Sequence, residues 1–226
     1  MSKSIAKSNA KRAIVYKNFF DCQVPEFCYL LGYLWADGWI TNNDYRIQII
    51  ESDGLILKKI LDNIDIHYSL YRNKNGIDNY GVSRKPSLMF CFGKHLKNFL
   101  KRLNYDKKSY ISHQKIMESI PKENLHYWLR GYFDGDGCFY YNQKWKTKQA
   151  NIGSTYNQDW TYFIESLDLY NIKAKAFKKI HKKSKSKSSL LRFCGKQIIK
   201  FGEYIYQGKQ FGLDRKYQKY LLIKNS

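Results

Sequence analysis

Apolar and polar positions in this 226-residue chain alternate between helical and strand periods, and the same succession is met twice. Two stretches, Leu30-Leu31-Gly32-Tyr33-Leu34-Trp35-Ala36-Asp37-Gly38 and Leu129-Arg130-Gly131-Tyr132-Phe133-Asp134-Gly135-Asp136-Gly137, each follow helical apolar spacing and precede an aromatic run. After the first, Trp39-Ile40, a turn at Asn42-Asn43-Asp44 and the β-branched run Tyr45 to Ile50 predict a hairpin. Leu55, Ile56, Ile60, Leu61 and Ile64 form a helical stripe over 55–64. Strands are predicted at 67–72 and 87–92, and a helix at 94–103 with Leu96, Phe99, Leu100 and Leu103 aligned. The order is helix, strand, strand, helix, strand, strand, helix.

The second half repeats that order: strands at 138–142 and 149–153, a helix at 159–169, strands at 173–179 and 190–194, and a helix at 196–206. A last helix is predicted over 214–223. Phe90-Cys91-Phe92-Gly93-Lys94 is echoed by Phe193-Cys194-Gly195-Lys196, and the two stretches lie about 100 residues apart, one small-domain length. The chain divides into a basic N-terminal extension (1–24), a first half (25–106), a linker (107–121) and a second half (122–226). The fold class is α+β, with two pseudo-symmetric units.

Charge narrows the function. Forty Lys and Arg against 19 Asp and Glu give a formal charge of +21, which predicts attraction to phosphate backbones or an anionic membrane. No run approaches the ~18 apolar residues of a spanning segment, so nucleic acid is the favoured partner and no membrane role is expected. An AT-rich coding genome would enrich Lys and account for part of the charge. The N-terminal basic residues Lys3, Lys7, Lys11, Arg12 and Lys17 accompany no apolar h-region, so a cytoplasmic setting, or an organelle, is expected. Five cysteines without a C-x-x-C pair argue against a disulfide framework or zinc ribbon and are read as reduced core residues. The Lys-rich segment 181–189 reads as a strand connection, solvated or lying on phosphates.

The chemistry lies in the repeated stretches. Gly32 and Ala36, like Gly131 and Gly135, are four apart, so each helix offers a small-residue face that permits close backbone approach. Packed through those faces, the helices would bring Asp37 and Asp136 together at one end. An Asp-Gly turn is an ordinary way to end a helix; its recurrence at the same place in both halves is what favours function. Two acids at helix C-termini meet the negative ends of two dipoles and repel one another, a cost that a divalent cation would reverse. Asp134, present only in the second copy, reads as peripheral.

Both stretches resemble the signature of the LAGLIDADG homing endonucleases, in the single-chain form that carries two copies. The resemblance implies an αββαββα unit in each half, signature helices at the interface, and two four-stranded antiparallel sheets, with helices on one face, forming a saddle over DNA. It implies a monomeric enzyme without an obligate protein partner that hydrolyses both strands of a long DNA site, leaves short 3′ overhangs and serves intron homing. Asp37 and Asp136 would bind the metal, with Gly38 and Gly137 beside them in the metal-binding positions. Mg²⁺ is the expected cofactor, Mn²⁺ able to substitute and Ca²⁺ to support binding only. Trp35 replaces the usual acid at the sixth position of the first copy, and Arg130 stands where a small or apolar residue is common.

Around the acids, Lys94 and Lys196 read either as catalytic cations or as solvent-facing lysines at helix starts, and Glu51 and Ser154 as residues at the periphery of the site. DNA readers are expected among Arg46, Gln48, Arg72, Asn142 and Arg192, with Lys144, Lys146 and Lys148 on phosphates. Arg215 and Lys216 in the last helix read equally as phosphate contacts or as solvated charges. The alternative to an endonuclease is a non-catalytic binder on the same scaffold, an RNA maturase or a DNA-binding regulator.

Overall fold

The computed structural model describes residues 22, 24–64, 66–74, 76–77, 83–180 and 185–226. The basic residues of the N-terminal extension, Lys3 to Lys17, and residues 181–184 of the Lys-rich connection lie outside them. The elements in chain order are α1 (Pro25–Asp37), β1 (Gly38–Ile40), β2 (Tyr45–Ile50), α2 (Glu51–Asn63), β3 (Tyr68–Asn73), the small ribbon β4 (Gly76–Ile77) and β5 (Ser83–Arg84), β6 (Ser87–Phe92) and α3 (Lys94–Arg102). A short helix α4 (Gln114–Glu118) and a 3₁₀ turn (Lys122–Asn124) lead into the second half. There follow α5 (Leu125–Asp136), β7 (Gly137–Asn142), β8 (Thr147–Thr155), α6 (Thr161–Asp168), β9 (Lys175–Ile180), β10 (Lys187–Cys194), α7 (Lys196–Tyr206) and α8 (Asp214–Lys224).

Two four-stranded antiparallel sheets result, ordered β1-β2-β6-β3 and β7-β8-β10-β9. Their registers correspond: Gly38, the residue after the first acid, pairs with Ile47, and Gly137 pairs with Ile152. Side chains alternate along each strand. In β2, Tyr45, Ile47 and Ile49 are buried against the helices while Arg46, Gln48 and Ile50 face outward. In β10, Leu191 and Phe193 are buried and Arg192 lies on the open face. The inner strands of each sheet thus have one helix-covered and one open face, while the edge strands β3 and β9 are exposed along almost all of their length.

The predicted elements are all present, and the differences lie at their ends. Helix α2 begins at Glu51 rather than Leu55, because its first turn is held by tertiary contacts: Asp53 is buried beside Arg215, and Gly54 lies under Leu88. Of the five cysteines, Cys22, Cys28 and Cys91 are buried, whereas Cys138 and Cys194 are exposed, since they fall on the open parity of β7 and β10.

The axis of the molecule is the contact between α1 and α5. A Cβ placed on Gly32 would collide with the carbonyl of Trp128 and come within 2.7 Å of the Tyr132 nitrogen. One placed on Gly131 would collide with the Tyr29 carbonyl and come within 2.9 Å of the Tyr33 nitrogen. The contact is backbone to backbone and two-fold in pattern, and Ala36 and Gly135 continue it toward the C-termini. Aromatic rings close around it, including Trp35, Trp128, Tyr132 and Phe163. Because the atoms met by a new Cβ belong to the facing backbone, they can yield only if the helices part. Gly131→Ala is therefore expected to lower unfolding free energy by about 3 kcal/mol, whereas Gly93→Ala, where a Cβ meets nothing within 4 Å, should stay within about 0.5 kcal/mol of the parent. Denaturant titration of the two variants checks this.

Candidate active site

Close helix packing delivers the C-termini of α1 and α5 to one place, and with them Asp37 and Asp136. The Asp37 Oδ2 atom lies 3.2 Å from the position of a Cβ on Gly135, one residue before Asp136. The carboxylates turn toward solvent, but the surrounding protein removes much of their hydration. That desolvation, reinforced by the charge of Asp37, raises Asp136 from 3.8 to about 6. Asp37 is raised as well, by desolvation first and in smaller part by Asp53, against the opposing charges of Lys108, Lys216 and Arg215. Gly38 and Gly137 end the two helices and donate their backbone N–H groups to Leu34 and Phe133. The Gly137 carbonyl accepts from Lys216 at 2.7 Å.

The helix ends are held by two lysines, Lys216 buried and Lys108 half-buried. Lys108 donates its ammonium to the carbonyls of Leu34 at 3.1 Å, Trp35, and Ala36 at 2.8 Å, the last carbonyls of α1. Lys216 does the same for α5, donating to Phe133 at 2.8 Å, Asp134 at 2.5 Å, Gly135 at 3.3 Å and Gly137 at 2.7 Å. A cation on the last turn satisfies orphan carbonyls and offsets the negative end of the dipole, here directly beneath the acids. Burial pulls both lysines down from 10.5 to about 8, against the stabilising charges of Asp136 and Asp37 on Lys108 and chiefly of Asp134 on Lys216.

Lys94 and Lys196 do not join this group. Strand β6 runs away from the acids, ending at Phe92 opposite Tyr45, so α3 starts at the turn end of the sheet, where Lys97 donates to the Asn42 carbonyl. The corresponding strand β10 carries Lys196 to the far end of the second sheet. Both lysines are exposed. The cations beside the acids are instead Lys108, Lys216 and Arg215. The signal for them in the chain is a tripeptide repeated after the last sheet-bound helix of each half, Asp106-Lys107-Lys108 and Asp214-Arg215-Lys216. Lys216 is neither solvated nor on an outer surface, being 5% exposed.

The two corners differ. Beside Asp136 lies a cavity of about 210 Å³ lined by Lys108, Ser109, Ser154, Thr155 and Gln158. There Ser154 donates to the Gln158 Oε1 atom at 3.0 Å, Gln158 donates to the Ile111 carbonyl at 2.5 Å, and Thr155 donates to the Ser109 carbonyl. On the Asp37 side, Arg215 grips Asp53 through Nε at 3.1 Å and Nη2 at 2.6 Å. Glu51, the residue expected at this periphery, pairs with Arg72 at 2.7 Å. Asp134 and Arg130, the departures in the second motif, are fully buried fasteners. Asp134 accepts from Tyr29 Oη at 2.9 Å and from the Leu213 N–H at 2.8 Å, and Arg130 donates to the carbonyls of Ile205, Gln207 and Phe211 at 2.6, 3.0 and 3.2 Å. Together they seat the segment that leads into α8 and Lys216.

The expected DNA readers lie mostly on the open faces. Arg46 is held by Asp44 at 2.8 Å, Gln48 donates to Ser87 at 2.8 Å, and Arg192 donates to Asn151 at 3.1 Å while lying over Phe177. Asn142 closes the β7–β8 turn by accepting from the Trp145 N–H at 3.1 Å, with Lys144 over Trp145 and Lys148 over Tyr141. Lys146 is exposed in the same turn, at positive φ.

Among the described residues no three His, Cys, Asp or Glu side chains gather, so a divalent ion held by Asp37 and Asp136 would take two hard oxygen ligands from the protein and the rest of its shell from phosphate and water. That is the habit of Mg²⁺, which keeps waters and uses one or two carboxylates with substrate phosphates. The carboxylates' raised proton affinity marks the same unmet demand for positive charge.

No family model matches the chain. Among curated proteins, the DNA-directed RNA polymerase subunit Rpo1C of Methanocaldococcus jannaschii is 32% identical over 116 residues, which cover 50% of this chain but 12% of that subunit. Among solved structures, the homing endonuclease I-WcaI bound to its DNA recognition sequence matches with a TM-score of 0.59 at 16% identity, over 90% of this chain and 91% of that one. A variant of I-DmoI in complex with nicked target DNA and Mn matches at 0.53 and 15% identity, over 83% and 98%. The LAGLIDADG homing endonuclease I-GzeII with its DNA target matches at 0.53 and 10% identity, over 89% of each chain. The chain has the fold of the single-chain LAGLIDADG homing endonucleases, two pseudo-symmetric α+β units with a four-stranded antiparallel sheet in each. No helix among the described residues is long and apolar enough to cross a membrane.

One pH effect follows from the segment that carries Lys108. His113 is fully buried among Trp35, Trp128, Tyr132, Trp160 and Phe163, and burial pulls it from 6.5 to about 3. A depressed histidine favours the neutral folded state, so its contribution is intact above about pH 6.5 and is lost as pH falls toward 3. Relative to a His113→Leu variant, the parent should lose about 1 kcal/mol per pH unit below pH 6; parallel acid limbs in urea titrations of the two proteins would contradict this.

Proposed function

We propose that this protein is a LAGLIDADG homing endonuclease, a monomeric, divalent-metal-dependent enzyme that cleaves both strands of a specific DNA site and leaves short 3′ overhangs. The observation that carries the reading is the meeting of Asp37 and Asp136 at the ends of two helices packed backbone to backbone, each helix end capped by a lysine. A protein that only bound DNA would gain nothing from two desolvated, mutually repelling carboxylates. The net charge of +21 supports a polyanionic substrate, and the structural neighbours' DNA complexes and their Mn or Ca ions support duplex DNA and a divalent cation. Mg²⁺ is the proposed physiological ion.

In this reading Asp37 and Asp136 hold the metal. Bound there, the ions would activate water and stabilise the leaving oxygen of a phosphodiester. The chain's own residues do the rest. Lys108, whose charge acts on both acids and most on Asp136, and Lys216, on the Asp37 side, place positive charge where the pentavalent phosphate gathers negative charge, in a partly dehydrated setting that strengthens the attraction. Each lysine is held in place by helix carbonyls, so little reorganisation is needed when the charge develops. Ser154 and Gln158 orient water on the Asp136 side. The open sheet faces lie along the duplex, with Arg46, Gln48 and Arg192 toward base edges and Lys144, Lys146 and Lys148 toward phosphates.

Selection of cleaved sequences from a randomised duplex library with Mg²⁺ supplies the substrate. On it, Asp37→Asn and Asp136→Asn should each reduce double-strand cleavage by at least about 10³-fold while binding in Ca²⁺ persists; undiminished cleavage would remove the metal role from these acids. Lys108→Met should cost about 10²- to 10³-fold in rate with binding retained, whereas Lys94→Met and Lys196→Met should leave the single-turnover rate at saturating DNA within about threefold.

A further inference from the structure

The segments that carry the two lysines are fastened in chemically different ways, and each is fastened across the molecular two-fold. Lys108 follows the first half, caps the first motif helix, and its neighbours are tied to the second half: Ser109 and Ile111 present carbonyls to Thr155 and Gln158. Lys216 belongs to the second half and caps the second motif helix, yet its neighbour Arg215 reaches into the first half, to Asp53 in the first turn of α2. Asp53 is 4% exposed, and the planar fork of Arg215 meets both of its oxygens. Such a bidentate pair fixes direction as well as distance. The helix N-terminus further favours the negative charge of Asp53.

We propose that the Arg215–Asp53 pair is a positioning device for one of the two strand cuts, setting Lys216 at the Asp37 corner while neutral hydrogen bonds set Lys108 at the Asp136 corner. Arg215 and Asp53 are positioning residues that act through Lys216. The inference rests on the endonuclease reading for its consequence, because a displaced reacting group costs rate steeply, but its geometric half stands without cleavage. Loss of the pair should leave one corner working and convert the enzyme toward a nickase. Loss of the Gln158 contact should impair the other strand.

The test uses the full chain with Asp53→Asn, Arg215→Gln, the conservative Arg215→Lys, and Gln158→Ala, each with its melting temperature recorded. Acetylation by N-acetoxysuccinimide, read peptide by peptide, reports how firmly each lysine is held. Lys216 should be acetylated about tenfold faster in Asp53→Asn and Arg215→Gln, with Lys108 unchanged and Arg215→Lys intermediate. On the selected duplex, labelled on both strands, the same two variants should slow one strand by about tenfold or more and leave the other within about twofold, and Gln158→Ala should reverse the preference. Equal acetylation of Lys216 in parent and variants, a parallel rise at Lys108 and Lys216, or equal slowing of both strands would each overturn the proposal. If the parent cuts no duplex with Mg²⁺, the endonuclease reading fails, and the acetylation pattern alone still decides whether the pair positions Lys216.

Discussion

The backbone contact of α1 and α5 through Gly32 and Gly131 sets most of what surrounds it. Because each helix ends five residues after its contact glycine, the two end together, which places two sets of orphan carbonyls and two carboxylates in one small volume. Negative ends of dipoles and negative side chains accumulate there. The fold answers with Lys108 and Lys216, which neutralise the carbonyls and not the whole demand of the acids, as the raised proton affinity of Asp136 records. A site so charged is poised for a cation and a phosphate.

Pseudo-symmetry describes the plan better than the execution. Both halves give a motif helix, a four-stranded sheet and a lysine-bearing tail, yet the second motif carries Arg130 and Asp134 where the first has Leu31 and Trp35. Trp35 joins the aromatic cage around His113, whereas Arg130 and Asp134 bind the segment that enters α8. Burying an arginine is tolerable because three carbonyls and the face of Tyr127 receive it. Duplicated units joined in one chain are free to diverge in this way, and the two corners of the site have done so.

Much of this was legible in the chain. Asp37 and Asp136 announce themselves because a short pattern recurs around them, and the small residues predict why they meet. Strand parity separated Arg46 and Gln48 from Tyr45, Ile47 and Ile49 without error. Lys94 and Lys196 were misplaced because sequence echoes carry no information about which end of a sheet a strand leaves from; the register of β6 on β2 takes Lys94 away from Asp37. Lys108 and Lys216 lie outside the repeated motif, in segments that read as linker and surface helix, and only the paired Asp-basic-Lys tripeptides hinted at a shared task. Asp53 and Arg215 are 162 positions apart with no pattern joining them, so their contact depends on the assembled halves.

In the endonuclease reading, Asp37 and Asp136 share a desolvated site whose unmet charge a divalent ion satisfies. The most direct measurement is the titration of the Asp136 side-chain carboxyl carbon by NMR, in the presence of chelator and then of Mg²⁺. A midpoint near 6 is expected without metal, with a shift to well below the ordinary carboxylate range once Mg²⁺ is added. A midpoint near 3.8 that Mg²⁺ leaves unmoved would contradict that reading.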